Sequence, residues 1–307
     1  MKKMFLLLLV ITLGVTTLPA ASSAESTKRE IEVIIAGNKV RFPDAKPFMD
    51  SNNRTLVPVR FVAENLGAKV AWHEDLQRVD IALDGSYISL TIGEKKALVN
   101  GEEVTFDTAA VMQNSRTYVP LRFVSEALGE TVEWDGASSF VYIGEKVFLT
   151  PEEKGIEPKS LDLVRDMFTD AEYLLTSVDG SAKEYFYDLT MDDLPIRIDD
   201  HIYYDFKQFE MGGYAGVKFR SEGRSNGGTP IFYVTKTFQP RYRYAVKTLK
   251  ETHNDGSITA AFRVVESRDY DLHGDKNYKS FTLKEVEYIG IRDLSKILVL
   301  IQNPFKQ

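Results

Sequence analysis

The chain contains no cysteine. That absence excludes disulfides, thiolate zinc and iron–sulfur sites, cysteine nucleophiles and a lipid-modified N-terminal cysteine. Positive charge is in short supply too: 38 lysines and arginines stand against 45 acids, a formal net of −7. A broad electrostatic grip on nucleic acid or anionic lipid is therefore not expected. Beyond the first two dozen residues no apolar run approaches the ~20 residues that a spanning helix needs. What is present, 307 residues with 43% hydrophobic and 27% charged side chains, fits two soluble globular domains.

The beginning reads as an address. Lys2 and Lys3 precede an almost unbroken apolar run over residues 5–15, then Pro19 and the small residues 20–24. These are the three regions of a secretory signal peptide, with cleavage expected after Ala24. Its apolar core is too short for a membrane anchor, so no stable membrane insertion is expected after cleavage. Removing residues 1–24 deletes two lysines and no acid, leaving a net charge of −9.

An internal repeat organises residues 30–149. Residues 54–72 read RTLVPVRFVAENLGAKVAW and residues 116–134 read RTYVPLRFVSEALGETVEW; twelve of these nineteen positions are identical at an offset of 62. Upstream, residues 37–42 answer residues 101–106 at an offset of 64. Each copy, about 30–92 and 93–149, predicts an opening hairpin, a short strand, a helix and a closing hairpin. Pro58 and Pro120 suit a first helical turn, and Gly67 and Gly129 suit a C-terminal cap. One copy alone is marginal for burying a core, so the two are expected to pack as one module around Trp72 and Trp134. Arg60 with Glu64, and Arg122 with Glu126, sit four residues apart and read as helix-surface ion pairs.

The doubled V-P-[VL]-R-F-V-x-E-x-L-G-x-x-V-x-W signature resembles the copper amine oxidase N-terminal-like, or stalk, domain family. The resemblance covers about 120 residues. It implies a small α+β module of exported Gram-positive envelope proteins, non-catalytic in itself. The oxidase chemistry is not implied for this chain. The only Asn–Tyr pair, Asn277–Tyr278, is followed by Lys279 where the quinone motif wants an acid. The histidines, His73, His201, His253 and His273, include no His-x-His pair. No cofactor is expected.

Residues 150–159 carry two prolines and a glycine and read as a linker. Beyond it, apolar spacing predicts a helix over 160–177. A period near two then predicts strands over 202–206, 216–220, 231–237, 242–248, 258–265, 278–288 and 297–301. The fold expected overall is α+β: two hairpin/short-helix repeats, then over 160–307 an antiparallel sheet with one packed helix.

Several constellations in this second half are candidates for chemistry. Tyr203, Tyr204, Tyr242 and Tyr244, with Arg241 and Arg243, form a candidate sugar-binding platform, core packing being the competing account. Asp269, Asp271 and Asp275 have the spacing of a calcium loop, although His273 replaces an oxygen ligand and Ser280 stands where a bidentate glutamate is wanted; the alternative is a polar turn. Ser225 lies in a G-x-S-x-G pattern but without a following helix. Asp192, Asp193, Asp199 and Asp200 flank a short strand. The expectation is an exported, non-catalytic envelope protein. Its module would dock or space, and its second half would bind a ligand, a glycan of the wall polymer or an envelope protein. The alternative is a secreted hydrolase with its site in residues 160–307.

Overall fold

A computed structural model describes residues 30–306 except 178, 212, 224–228, 238 and 293–295, with backbone alone at 211, 270, 272 and 273. The signal segment and Ser225 lie outside the described residues. The chain is mostly β-sheet, arranged as five sheets. Among the described residues no helix is long and apolar enough to cross a membrane.

Two helices, α1 (Val59–Asn65) and α2 (Leu121–Ala127), each follow directly from a strand, Thr55–Pro58 and Arg116–Pro120. Pro58 and Pro120 are the N-caps, their fixed φ of −61° and −59° ending the strand and opening the helix. Both helices close in a Schellman motif. Gly67 at φ +88° donates to Glu64 O and Ala68 to Ala63 O; Gly129 at φ +89° donates to Glu126 O and Glu130 to Ser125 O.

The two strands before the helices pair antiparallel, and their register sets Val57 against Val119. These residues are 62 apart, so equivalent positions of the two copies oppose each other across a local twofold. The remaining hairpins are exchanged about it. The opening hairpin of the first copy, Glu32–Ile35 and Asn38–Lys39, joins the closing hairpin of the second, Val132–Asp135 and Phe140–Ile143, in one sheet. The closing hairpin of the first copy, Lys69–His73 and Arg78–Leu83, shares the other sheet with the opening hairpin of the second, Lys96–Val99 and Glu102–Thr105, across an intervening strand Ser86–Thr91. One apolar core, including Val33, Val57, Val62, Val119, Val124 and Val141, lies between them.

The second half differs from the single antiparallel sheet expected. It holds two sheets, of six and five strands, and the six-stranded one contains a parallel pair, Tyr185–Leu189 with Leu298–Gln302. The strands Ile231–Thr235 and Leu298–Gln302 are apolar on both faces because both faces are covered. One face meets the five-stranded sheet through Tyr203, Phe206, Phe219 and Phe262. The other meets Leu161, Val164, Phe168, Leu174 and Leu175. Those residues were expected on one α-helix. They lie instead on three 3-10 turns, Leu161–Leu163, Arg165–Phe168 and Glu172–Leu175, interrupted where Asp170 takes φ +60°. Apolar spacing of three serves a 3-10 turn as well as an α-helix, so the pattern located the face and missed the backbone. Residues 278–285, expected as strand, are two more such turns before the strand Val286–Ile291.

Within that sheet the Phe232 ring lies over Gly290; a Cβ there would stand 2.0 Å from a ring carbon. Gly290→Ala is expected to lower stability by about 1–3 kcal/mol through overpacking. A urea unfolding midpoint within error of wild type would refute this.

The two halves meet closely. Arg220 of the five-stranded sheet is 2% exposed and reaches Asp135 at 2.5 Å and Ser138 Oγ at 2.8 Å in the module, with Asp255 at 2.6 Å and Ser257 Oγ at 2.8 Å on its own side. Its guanidinium also stacks 4.2 Å from the Tyr204 ring. Lys207 donates to Ala137 O and Lys39 to Met191 O, both at 2.7 Å. A small apolar cluster of Ile34, Phe140, Tyr142 and Tyr204 completes the joint. The segment read as a linker is itself packed, with Lys154 donating to Gly37 O at 2.7 Å and Glu152 accepting from the Tyr187 hydroxyl.

Candidate functional site: paired grooves

The exchange of hairpins creates two grooves. The first, about 330 Å³, is walled by Pro58, Arg60, Phe61, Val70, Trp72 and Val79 of the first copy and closed by Met112, Ser115, Arg116 and Thr117 of the second. The second, about 510 Å³, is walled by Pro120, Arg122, Phe123, Val132, Trp134 and Val141 and closed by Met49, Asn53, Arg54 and Thr55 of the first copy. Shifting the first set of walls by 62 gives the second. The two grooves thus share six equivalent wall positions, and each is built from both copies.

Local structure aims these residues. Strand alternation puts Val70 and Trp72, and likewise Val132 and Trp134, on one face of their edge strands. Arg60 and Arg122 stand at the starts of α1 and α2, 52% and 64% exposed, with Glu64 and Glu126 at 3.8 and 3.9 Å. Those separations exceed hydrogen-bond length, so the guanidinium donors are not spent on the ion pair. The RT arginines are held differently. Arg54 pairs with Asp107 and Arg116 with Asp44, each bridging from one copy to the other. The hydrogen bond from Arg54 holds the Asp107 carboxyl below its ordinary value. Phe42 packs on Phe61, and Phe106 on Phe123, the latter pair both lining the second groove.

The residues singled out in the second half separate into buried and exposed sets. Tyr203 and Tyr204 are 0% and 1% exposed and belong to cores, Tyr204 donating to Glu222 at 2.8 Å. Arg241 and Arg243 are buried as well. They face Asp269, at 3.2 and 2.8 Å, and Arg241 also reaches Asp275 at 2.7 Å. The aspartates read as calcium ligands and the arginines read as a platform thus meet each other. Asp269 and Asp271 lie on a short helix, α3 (Arg268–His273), rather than a loop or hairpin turn, with Asp271 exposed and Asp275 just beyond the helix end. Among the described residues, no three His, Cys, Asp or Glu side chains gather as metal donors.

What reaches the surface is Tyr244, its ring 4.9 Å from half-buried Tyr242, with Arg268 5.0 Å over its face. The other polar candidates are spread apart. Asp193 caps a turn through Thr190, at 2.6 Å from its amide, and His253 bonds Thr259 Oγ1 at 2.7 Å. In the module, His73 lies 2.8 Å from Asp80.

Sequence reasoning read Arg60, Glu64, Trp72 and their counterparts as a structural signature. It missed that Arg60 and Trp72, and Arg122, Glu126 and Trp134, wall grooves. The available signal was the identity of the two copies at polar and aromatic positions that a core does not require.

Residues 34–143 match the family model of the copper amine oxidase N-terminal domain. The chain is 27% identical over 79 residues to a primary amine oxidase of Klebsiella aerogenes, covering 26% of this chain and 10% of that protein. It is also 27% identical over 107 residues to a protease inhibitor of Brevibacillus choshinensis, covering 35% of this chain and 32% of that protein. The chain therefore spans a tenth of one curated relative and about a third of the other.

Proposed function

We propose that this is an exported, non-catalytic protein of a Gram-positive cell envelope, in which residues 30–149 act as one docking module made of two repeats. Residues 160–307 form a second lobe, held rigidly on the module, that presents its own surface to a ligand or partner. The single observation that carries this reading is the pair of equivalent grooves. A duplicated recognition surface suits attachment to a repetitive structure, because two weak contacts on one body reinforce each other.

The relatives point the same way. One is named an oxidase and the other a protease inhibitor. Sequence shared with proteins of such different activity is best understood as carrying neither activity. Export is inferred from the leader pattern of residues 1–24.

The test is co-sedimentation of the chain from Glu25 onward with purified Gram-positive sacculi, analysing pellet and supernatant together. Retention in the pellet with no soluble muropeptides is expected. Released muropeptides would replace this reading with a wall hydrolase. Absence of the protein from the pellet would refute docking to the wall.

A further inference from the structure

We infer that each groove is a binding site for a neutral oligosaccharide, so that one module holds two glycan segments. The inference rests on the docking reading and gives its ligand a chemistry.

The first argument is where the two copies have stayed alike. Val57, Val62, Leu66 and Gly67 match their counterparts for reasons of core and cap. Solvent-facing positions away from the grooves have diverged: Lys69 against Thr131, and Ala71 against Glu133. Among the solvent-facing groove positions the arginine and the tryptophan have not, whereas Glu74 and Gln77 stand against Gly136 and Ser139. Arg60 and Arg122 are both arginine though more than half exposed, and Trp72 and Trp134 are both tryptophan though neither is buried. Packing does not require an exposed arginine beside an accessible indole in both copies. A shared ligand does.

The second argument is the lining. An indole and a phenyl ring offer flat apolar surface to the C–H face of a sugar ring. Beside them stand a guanidinium fork and oxygen acceptors: Arg60 with Glu74 and Gln77 in one groove, Arg122 with Glu126 and Asn53 in the other. A fork of fixed donors beside a carboxylate matches vicinal hydroxyls, which both donate and accept. Both volumes fall within the roughly 300–1,000 Å³ of small-ligand clefts.

The third argument is charge. Arg116 is neutralised by Asp44 and Arg54 by Asp107. What remains is one arginine and one glutamate per groove, which gives no net attraction for a phosphate polymer or nucleic acid. The strand part of each wall is alternate side chains of one face, Val70 with Trp72 or Val132 with Trp134, which meet a ligand through rings and apolar surface.

The chain's two tryptophans occupy one groove each, so intrinsic fluorescence reads both sites and little else. The test titrates the chain from Glu25 onward with the hexamer of β-1,4-linked N-acetylglucosamine and, separately, with cellohexaose. Fluorescence and calorimetry are followed together. Two sites per chain are expected for at least one hexamer, with affinities within about threefold. Arg60→Gln and Arg122→Gln, both on exposed helix faces, should each weaken one site about tenfold. Trp72→Ala with Trp134→Ala should remove both sites, with the melting curve checked to show that the double variant folds. Failure of both hexamers to bind wild type, or binding unchanged in the two arginine variants, would overturn the inference. Retention on sacculi without hexamer binding would discard the oligosaccharide and leave docking standing. Hexamer binding without retention would do the reverse.

Discussion

Arg220→Ala is expected to cost about 3–5 kcal/mol and to split one unfolding transition into two. The magnitude is that of breaking a buried ion pair by removing one partner. Every part of this guanidinium is engaged: Nη1 with Asp135 and Ser138, Nη2 with Asp255, Nε with Ser257. Truncation leaves Asp135, 8% exposed, without its cation and empties the space beside Tyr204. Because the residue joins the second half to the module, its loss falls on their attachment more than on either core. Differential scanning calorimetry reads both effects. A single transition at the wild-type temperature would refute the assignment.

The same joint should respond to acid. Burial pushes the Asp255 carboxyl up, but hydrogen bonds from Ser257 and the charge of Arg220 outweigh it, so the folded group titrates below its ordinary value. A depressed carboxylate contributes stability that is fully present above the unfolded value of about 4 and is lost as pH falls through the folded one. The attachment of the two halves is therefore expected to weaken below about pH 4, and less steeply in the Arg220 variant, which has already lost the pairing.

Asp269→Ala is the second large effect, again about 3–5 kcal/mol. Asp269 is fully buried and accepts from Arg243 at 2.8 Å and from the Glu266 amide at 3.2 Å, with Arg241 at 3.2 Å. Its removal leaves the buried Arg243 without a carboxylate and the buried Arg241 with Asp275 alone. Arg243 retains its bonds to the carbonyls of Tyr242, Arg263 and Val264, which hold its position but carry no compensating charge. Asp269→Asn, which keeps shape and loses charge, should fall between. Urea unfolding followed by tyrosine absorbance measures the loss, and a change under about 1 kcal/mol in the alanine variant would show that Asp275 alone suffices to balance the pair. The exposed ring of Tyr244 should also loosen, since the strand Arg241–Arg243 just before it is tied to α3 by this cluster.

These two sites show where reading the sequence stopped. The repeat, its prolines and its capping glycines were legible, because caps and hairpin turns are dictated by residues close in sequence. Arg220 and Asp135 are 85 residues apart, and no local pattern ties them. Asp269 and Asp275 have the spacing of metal ligands, but carboxylates look alike in sequence whether they face a cation or a guanidinium. The segment over 160–177 shows the limit of periodicity: its apolar side chains do cover the sheet, on 3-10 turns instead of an α-helix. The grooves were hidden for a different reason. Each takes Arg60 or Arg122 from one copy and Arg116 or Arg54 from the other, so only the pairing of the copies assembles them.

That pairing has a consequence for how such a module could arise. Val57 against Val119 is a contact between equivalent residues, the hallmark of an isologous interface. The reciprocal bridges Arg54–Asp107 and Arg116–Asp44, and the traded hairpins, obey the same symmetry. Two separate sixty-residue chains could make every one of these contacts. The module has the plan of a homodimer with its two subunits joined end to end, and the strand Ser86–Thr91 lies in the connection between them.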